Sequence, residues 1–295
     1  MPSAISVALF RVVMLKSVNN RLSVFAATLL SVFYFHAICS LWAQNVSVEL
    51  HVISPEIITE RLRRLHLKNA ERETELKIMF EDAGCKAVEE EILVRKDPPN
   101  ITCTLPGTTD SLIIVGAHFD HAEKGDGAVD DWSGASLLPS LFQALNDTPR
   151  KHTFVFVGFT DEEKGLVGSN FYVKHFPKDR LSAIEAVVNL ECLGLAPTKV
   201  WAHVASPELL DYLVKVTRYM HADLQAVNVD KVGNNDTQAF RDKKLPVITI
   251  HSVTQETLSI LHSGKDNLTA IRPDDLYNSY RVIAGYLASI DKVLN

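Results

Sequence analysis

Seven short apolar runs, rich in β-branched and aromatic residues, are spread along this chain of 295 residues. Several of them are apolar throughout, which is typical of strands buried on both faces of a parallel sheet. The runs predict an α/β fold: a three-layer sandwich with a mixed, mostly parallel central sheet and helices on both faces. They occupy residues 87–94, 101–105, 111–117, 153–159, 184–190, 199–204 and 247–251.

Helical patterns fill the gaps between these runs. Ser54 followed by Pro55 is typical of a helix start and predicts a helix to about residue 67. A second helix has apolar residues at helical spacing between 76 and 83 and ends at Gly84. Further helices are predicted at 133–145, 166–175, 207–221 and 274–293. Pro139 lies inside the first of these four and should kink it.

The amino-terminal segment differs from the rest of the chain. Residues 22–43 contain no Asp, Glu, Lys or Arg and follow Lys16 and Arg21. A charged stretch followed by an apolar one predicts a signal peptide at residues 1–43. A retained membrane anchor is the alternative, since about 20 apolar residues can span a bilayer. Met14 is an alternative start. We expect a secreted or periplasmic protein, or one anchored in a membrane and facing outside the cytoplasm.

The remaining residues, 44–295, contain no repeats or long linkers and are predicted to form one domain. The formal net charge is −6, and Lys and Arg are scattered along the chain, so we expect no nucleic-acid partner. Cys85, Cys103 and Cys192 have no CxxC spacing, which excludes a cysteine zinc site. A disulfide between Cys85 and Cys103 is one possibility in an oxidising compartment.

Metal-competent side chains follow three of the predicted strands, and the carboxyl ends of such strands gather ligands and catalytic groups. Each residue alone has another explanation: a surface histidine, a helix-capping Asp, a solvated Glu pair or a Glu paired with Lys. Together at one sheet edge they concentrate negative charge, which favours a bound cation. The residues are His118 and Asp120, Glu162 and Glu163, Glu191, the loop residues Asp130 and Asp131, and His262.

Imidazole and carboxylate ligands without thiolate suit zinc. Two such ions, about 3.5–4 Å apart and bridged by a carboxylate, can activate one water and polarise a carbonyl together. Glu162 beside Glu163 could accept the proton of that water and pass it to a leaving amine. This set therefore indicates amide hydrolysis.

Five motifs closely resemble those of the co-catalytic zinc aminopeptidases of the bacterial leucyl aminopeptidase type. This group is peptidase family M28 of clan MH, which also includes glutamate carboxypeptidases and glutaminyl cyclases. The resemblance spans roughly residues 110–290. The motifs are GAHFDH (116–121), GAVDDWSG (127–134), DEEKGLVGS (161–169), NLECLG (189–194) and the HS pair at His262.

The resemblance implies a role for each matching position. His118 and Glu191 would hold one zinc ion, Glu163 and His262 the other, and Asp130 would bridge them. Glu162 would be the general base. Asp120 would orient the ring of His118, Asp131 would be structural, and no role is assigned to Asn235-Asp236-Thr237, which replaces the family's usual Ser-Asp-His.

The implied function is a two-zinc exopeptidase domain at 44–295 that acts on peptides. An aminopeptidase is predicted, which would use a metal-bridged water and release N-terminal residues. Glu191 stands where the family's aminopeptidases usually have Asp, and the extra bond of about 1.5 Å keeps open a carboxypeptidase or N-acyl amino acid hydrolase. A glutaminyl cyclase is a further alternative, although that branch usually departs from the His ligand pattern that His118 retains. A binding domain on a degenerate peptidase fold is disfavoured by the complete ligand set.

Overall fold

The computed structural model describes residues 50–93, 98–229 and 233–295, together with the backbone of 12–14 and 46–48. Most of the predicted signal peptide or anchor at 1–43 therefore lies outside the described residues. Within the described residues, no helix is both long and apolar enough to span a bilayer.

The described residues contain ten strands. Eight of them form one mixed sheet in the order β3-β4-β6-β5-β7-β10-β8-β9, and the other two pair with each other. The strands are β1 Val12–Met14, β2 Val46–Val48, β3 Val88–Glu91, β4 Asn100–Leu105, β5 Leu112–His118, β6 Thr153–Phe159, β7 Ile184–Glu191, β8 Lys199–Val200, β9 Gln225–Ala226 and β10 Val247–His251.

The centre of the large sheet, β6-β5-β7-β10, is parallel, whereas β3, β4 and β8 each have an antiparallel neighbour. Alternate residues of β5 enter two separate hydrophobic cores: Ile113 and Val115 the larger one, Leu112 and Ile114 the smaller one. Both faces of the central strands are thus buried, and the predicted three-layer α/β sandwich is confirmed.

Within the part of the chain that the structure describes, eight helices cover the sheet. Helices α5 and α7 contact each other and pack on the smaller core, while α1, α2, α4, α6 and α8 pack on the larger one. The helices are α1 Pro55–Arg63, α2 Asn69–Asp82, α3 Ser133–Ala135, α4 Leu138–Asn146, α5 Val167–His175, α6 Pro207–Tyr219, α7 Thr237–Arg241 and α8 Pro273–Val293.

The helix predicted at 133–145 is divided into α3 and α4, and Pro139 lies in the first turn of α4, where its missing N–H leaves no intrahelical bond unmade. Helix α1 was predicted to reach residue 67 but ends at Arg63. The His66 carbonyl accepts a hydrogen bond from Arg72 Nε, 2.7 Å away, so this stretch turns toward α2.

The strand predicted at 199–204 is also too long, since β8 stops at Val200. The amide of Ala202 donates to the carbonyl of Val200 in a tight turn, which takes the chain out of the sheet. The run at 87–94 shortens to β3, and residues 94–97 lie outside the described residues. Two short elements, β9 and α7, were not predicted.

Cys85, just beyond the end of α2, forms a disulfide with Cys103 of β4. The bond joins the helical layer to the sheet. Cys192 is a buried free thiol.

Candidate metal centre

The order of the strands creates a topological switch at β5. The chain runs from β5 to β6 on one side and then from β6 to β7 on the other. In open α/β sheets, ligands bind at the carboxyl edge near such a point. His118 ends β5, Glu162 and Glu163 follow β6, and Glu191 ends β7. Parallel pairing therefore brings all four residues to this edge.

A buried group of side chains, here called the inner set, consists of His118, Asp130 and Glu191. His118 Nε2 lies 3.2 Å from Asp130 Oδ1 and 3.6 Å from Glu191 Oε1. The His118 side chain is 1% exposed. Glu191 Oε2 also accepts a hydrogen bond of 3.0 Å from the Asn189 amide. One imidazole and two carboxylates thus converge in the interior.

A second group, here called the outer set, consists of Asp130, Glu163 and His262. His262 Nε2 lies 3.1 Å from Asp130 Oδ2 and 3.1 Å from Glu163 Oε1. One potential ligand atom from each residue lies within 4.8 Å of the others. The His262 side chain is 57% exposed, so this set opens to solvent.

Asp130 belongs to both sets, with one carboxylate oxygen facing each histidine. It follows a glycine-rich loop, and the peptide bond to Asp131 is cis. Asp131 Oδ1 accepts hydrogen bonds from the amides of Cys192, at 2.9 Å, and Gly134, at 3.1 Å. These contacts tie the Asp130 turn to the end of β7 and are those of a structural residue.

Asp120 makes two kinds of contact. Its Oδ1 lies 3.3 Å from His118 Nδ1, which places it to orient that ring. The same carboxylate accepts hydrogen bonds from the amides of Glu162, at 3.0 Å, and Glu163, at 3.1 Å. The sequence predicted the first contact but not the second. Asp120 therefore links the end of β5 to the turn after β6.

The two histidines bind protons more tightly than a free imidazole does. Burial disfavours the charged form of His118, but Asp120, Asp130 and Glu191 outweigh it and raise the pKa well above the usual value. The Asp130 carboxylate raises the pKa of His262 to about 9.

Burial and the neighbouring charges also shift the pKa values of the carboxyl groups. Burial raises the pKa of Glu162 to about 10 and that of Glu163 to about 7, and the negative charge of Asp130 adds to both. Burial opposes ionisation of Asp130, but His118 and His262 outweigh it and lower the pKa. Without a metal, protons take up the negative charge that a cation would otherwise neutralise.

The donor set fits zinc. Imidazole nitrogens and carboxylate oxygens are its usual ligands when thiolates are absent, and a shared carboxylate is typical of paired sites. The inner and outer sets could each hold an ion, with Asp130 common to both. Cys192 Sγ also comes within 4.8 Å of oxygens of Asp130 and Glu191. The missing CxxC spacing had excluded a cysteine zinc site, yet the structure brings this one thiol, without a second described cysteine, to the edge of the inner set.

Strained backbone is concentrated around the two sets. Four non-glycine residues here have a positive φ: Asp161 at 53°, Leu166 at 58°, Cys192 at 48° and His262 at 54°. Such conformations cost on the order of 1–3 kcal/mol each and persist where the surrounding structure holds them. Cys192 adjoins Glu191 of the inner set, His262 belongs to the outer set, and Asp161 and Leu166 flank Glu162 and Glu163, so the strain lies where the candidate ligands are held.

A cavity of about 470 Å³ opens above the two sets. Its lining includes all of the predicted metal ligands except His118. Glu162 lines it as well, so the predicted base and the predicted ligands face the same space. Trp201, Val229, Val253, Leu258 and Leu261 form an apolar wall.

Two residues that support the site were not predicted. Asp266 Oδ1 accepts a hydrogen bond of 2.7 Å from the Val129 amide, beside Asp130. Arg72 of α2 is fully buried and donates to the carbonyls of Phe119, at 3.0 Å, and Gly127, at 3.3 Å. Asp266 follows His262 closely enough for its position to have been a signal. Arg72 lies on a mostly polar helix, and nothing in the sequence around it indicates a contact with the site.

An α/β sandwich with imidazole and carboxylate groups gathered at the switch point of its sheet has the architecture of a metal-dependent hydrolase. A comparison with family models gives the particular family. Residues 100–287 match Peptidase family M28. The chain therefore belongs to peptidase family M28, as its motifs indicated.

Individual relatives are more distant. Aminopeptidase Y of Saccharomyces cerevisiae is 32% identical over 154 residues, which is 50% of this chain and 28% of the yeast protein. The chain thus matches less than a third of that relative's length.

Among solved structures, the LapA aminopeptidase of Legionella pneumophila aligns with a TM-score of 0.73 and 19% identity, over 82% of this chain and 73% of that one. A glutaminyl cyclase of Porphyromonas gingivalis aligns with a TM-score of 0.64 and 18% identity, over 80% and 96%. These likenesses establish the fold.

Proposed function

We propose that the protein is a two-zinc aminopeptidase that releases N-terminal amino acids from peptides. The observation that carries the proposal is the charge of the cavity. Among the residues that the structure describes, its lining contains four carboxylates, Asp130, Glu162, Glu163 and Glu191, and neither Lys nor Arg. A free α-amine suits such a lining, whereas a substrate carboxylate would find no described Lys or Arg there and would have only the zinc ions as cationic partners.

The metal ligands follow from the two sets. His118, Asp130 and Glu191 would hold one zinc ion, and Asp130, Glu163 and His262 would hold the second. Bound zinc supplies Lewis acidity toward the scissile carbonyl, lowers the pKa of an attacking water, and provides the positive charge that keeps Glu162 ionised.

Glu162 is the general base in this proposal. It accepts a proton from the attacking water and returns it to the nitrogen of the leaving amine. Its backbone is fixed by Asp120, which also faces His118, so the base and one ligand share a support. The elevated pKa of Glu162 comes from burial first, and an ionised Glu162 therefore depends on compensating charge in the cavity.

The apolar wall indicates which N-terminal residues are preferred. Trp201, Leu258 and Leu261 offer contact to a bulky apolar side chain beside the carboxylates. We infer that peptides beginning with leucine, methionine or phenylalanine are better substrates than those beginning with aspartate or glutamate. The side-chain carboxylate of an N-terminal aspartate or glutamate would be repelled by the carboxylates of the cavity.

We also propose that the protein is exported from the cytoplasm, as its amino-terminal segment predicts. The disulfide between Cys85 and Cys103 supports an oxidising compartment, since such bonds are rare in the cytosol. We infer a secreted or periplasmic enzyme, or one held by an uncleaved amino-terminal anchor and facing outside the cytoplasm.

A substrate panel tests the activity. Aminoacyl anilides, N-acylated peptides with a free carboxyl terminus, and carboxyl-blocked peptides with a free amine are supplied to the zinc-loaded protein and to protein treated with chelator. We expect release of amino acids from free-amine and carboxyl-blocked substrates only, loss with chelator, and recovery with zinc. If the N-acylated series is cleaved instead, the protein is a carboxypeptidase or an N-acyl amino acid hydrolase, which is the alternative that Glu191 suggests.

A glutaminyl cyclase is the second candidate, because this chain covers 96% of the Porphyromonas gingivalis cyclase but smaller shares of the aminopeptidases. Peptides with N-terminal glutamine separate the two. A cyclase releases ammonia and leaves the peptide bond intact, whereas an aminopeptidase releases free glutamine. Mass spectrometry of the peptide product distinguishes these outcomes.

A further inference from the structure

The loop that carries Asp130 is clamped between two buried charged side chains from distant parts of the chain. One is Arg72 of helix α2. Its guanidinium donates to the carbonyls of Phe119 and Gly127, at 3.0 and 3.3 Å, and also to that of Asp126. These bonds join the residue after His118 to the loop that leads to Asp130.

The other side chain is Asp266. Its Oδ1 accepts a hydrogen bond of 2.7 Å from the Val129 amide, and its Oδ2 lies 3.3 Å from the Asp130 amide nitrogen, also as acceptor. The backbone carbonyl of Asp266 accepts another, of 2.7 Å, from the Asp126 amide. One short segment thus supplies His262 to the outer set and holds the backbone of the residue shared by both sets.

The loop is packed too closely to move independently of the clamp. A Cβ atom added at Gly127 would lie 2.2 Å from His121 Cβ and 3.2 Å from Arg72 Nη1. One added at Gly125 would lie 2.4 Å from the carbonyl oxygen of Ser263. A shift of either clamp residue would therefore be transmitted to the Asp130 carboxylate.

We propose that Arg72 and Asp266 are positioning residues that set the spacing of the inner and outer sets by fixing the backbone at Asp130. Helix α2 lies outside residues 100–287, which match the family, yet it completes the metal centre through Arg72. The inference rests on the proposed function in that it takes the two sets to be zinc sites.

The alternative is that the clamp only stabilises the fold. The two possibilities predict different zinc binding in variants that lose the clamp but still fold. If the clamp only stabilises, variants that remain folded bind zinc normally. If it positions Asp130, folded variants bind zinc weakly and present an altered ligand geometry.

Asp266→Asn is the main test. The variant keeps the size of the side chain and one oxygen for the Val129 amide, but it points an N–H donor at the Asp130 amide. We expect zinc affinity to fall by roughly 10- to 100-fold, the cost typical of losing an outer partner of a metal ligand. Zinc affinity is measured by competition with a chromophoric chelator, and the ligand geometry by the visible absorption of the cobalt-substituted protein.

Arg72→Lys provides a second variant if Asp266→Asn does not fold. It keeps the positive charge, but an ammonium group lacks the planar fork that reaches several carbonyls at once. We expect weaker zinc binding and an altered cobalt spectrum here too. Glu123→Gln is the matched control, because it removes one charge from an exposed position in the same β5–α3 connection.

Wild-type zinc affinity and an unchanged cobalt spectrum in a folded Asp266→Asn or Arg72→Lys protein would overturn the proposal. The proposed function can fail separately, since it is tested by amino acid release and the clamp is tested by metal binding. A wild-type chain that binds no zinc would overturn both.

Discussion

The inner and outer sets share Asp130 but differ in how the fold holds the rest of their residues. His118 and Glu191 of the inner set end two adjacent parallel strands, and His118 is 1% exposed. His262 of the outer set lies on a loop between two short 3₁₀ turns and is 57% exposed. The inner set is part of the sheet, whereas the outer set is assembled on loops.

This difference indicates unequal tasks. A rigid, buried set suits tight retention of an ion, because its ligands lose little freedom on binding. An open set exchanges with solvent and admits substrate, at the expense of affinity. We expect two zinc affinities, with the outer ion leaving first during dialysis against a chelator.

The largest effect is expected at Glu162, which belongs to neither set. Glu162→Gln should lower kcat by about 10²- to 10⁴-fold, the range attributed to a general base. Both sets keep their ligands, so zinc content should stay at the wild-type value. Turnover is measured with a leucyl anilide and zinc by atomic emission, with Glu123→Gln as an exposed control. Wild-type turnover in Glu162→Gln would remove this residue from the mechanism.

The next largest effect separates the sets directly. His118→Ala should weaken zinc binding to the inner set by more than the roughly 10- to 100-fold cost of losing an outer partner, and should also lower the Tm. The Tm falls because the buried carboxylate of Asp120 loses the imidazole that it faces.

His262→Ala should weaken the outer set only, and its Tm should fall by less than that of His118→Ala because His262 is more exposed than His118. Zinc per chain and thermal unfolding are measured for both variants. Equal losses of zinc and equal Tm shifts would show that the two sets form one cooperative site and would end the distinction between them.

The metal-free protein should become less stable as the pH rises from 7 to 9. The folded-state pKa is raised for His262, to about 9, by Asp130, and for Glu162, to about 10, by burial. The folded state then binds more protons than the unfolded one, so the free energy of unfolding falls as these groups lose their protons. For His262 this stabilisation is complete below about pH 6.5 and is lost through pH 9.

Zinc should reverse this trend, because its ligands must be deprotonated and its affinity therefore rises with pH. The difference in Tm between zinc-loaded and metal-free protein should widen by several degrees over the same range. Scanning calorimetry at pH 7, 8 and 9 measures it. A metal-free protein that gains stability toward pH 9 would contradict the raised pKa values.

The sequence predicted most of the inner set and its surroundings because these residues follow strands whose apolar character is unmistakable. His118, Glu162, Glu163 and Glu191 each lie at or just after such a strand, and parallel pairing brings them to one edge. Their roles as ligands and base remain predictions that the variants above address.

Arg72 and Asp266 were not predicted as supports of the site, although the position of Asp266 close to His262 was a signal. Arg72 and Asp266 act through bonds to backbone atoms more than 45 and 130 positions away, and such bonds depend on the tertiary fold. Helix α1 ends at Arg63, before the predicted residue 67, and the carbonyl of His66 beyond it accepts a hydrogen bond from the long side chain of Arg72. Helix α7 was missed because five residues are too few to display a period.

The smallest effect is expected at Glu191, the one predicted ligand that departs from the family's usual residue. Glu191→Asp shortens the side chain by about 1.5 Å. The shorter carboxylate should lose the 3.0 Å bond from Asn189 and move away from His118 Nε2, which is 3.6 Å from Glu191 Oε1 in the wild type. We expect kcat/KM for leucyl anilide to change by less than roughly tenfold, because Asp ligates zinc as well as Glu does.

The informative measurement is the ratio of activity on free-amine and N-acylated substrates before and after this change. Because the cavity has four carboxylates and neither Lys nor Arg among its described lining residues, the ratio should favour free-amine substrates in both proteins. If the wild type prefers N-acylated substrates and Glu191→Asp prefers free amines, then the length of this single ligand sets the polarity of the substrate. The inner set would then govern specificity as well as retention of the metal, and the division of tasks between the two sets would have to be redrawn.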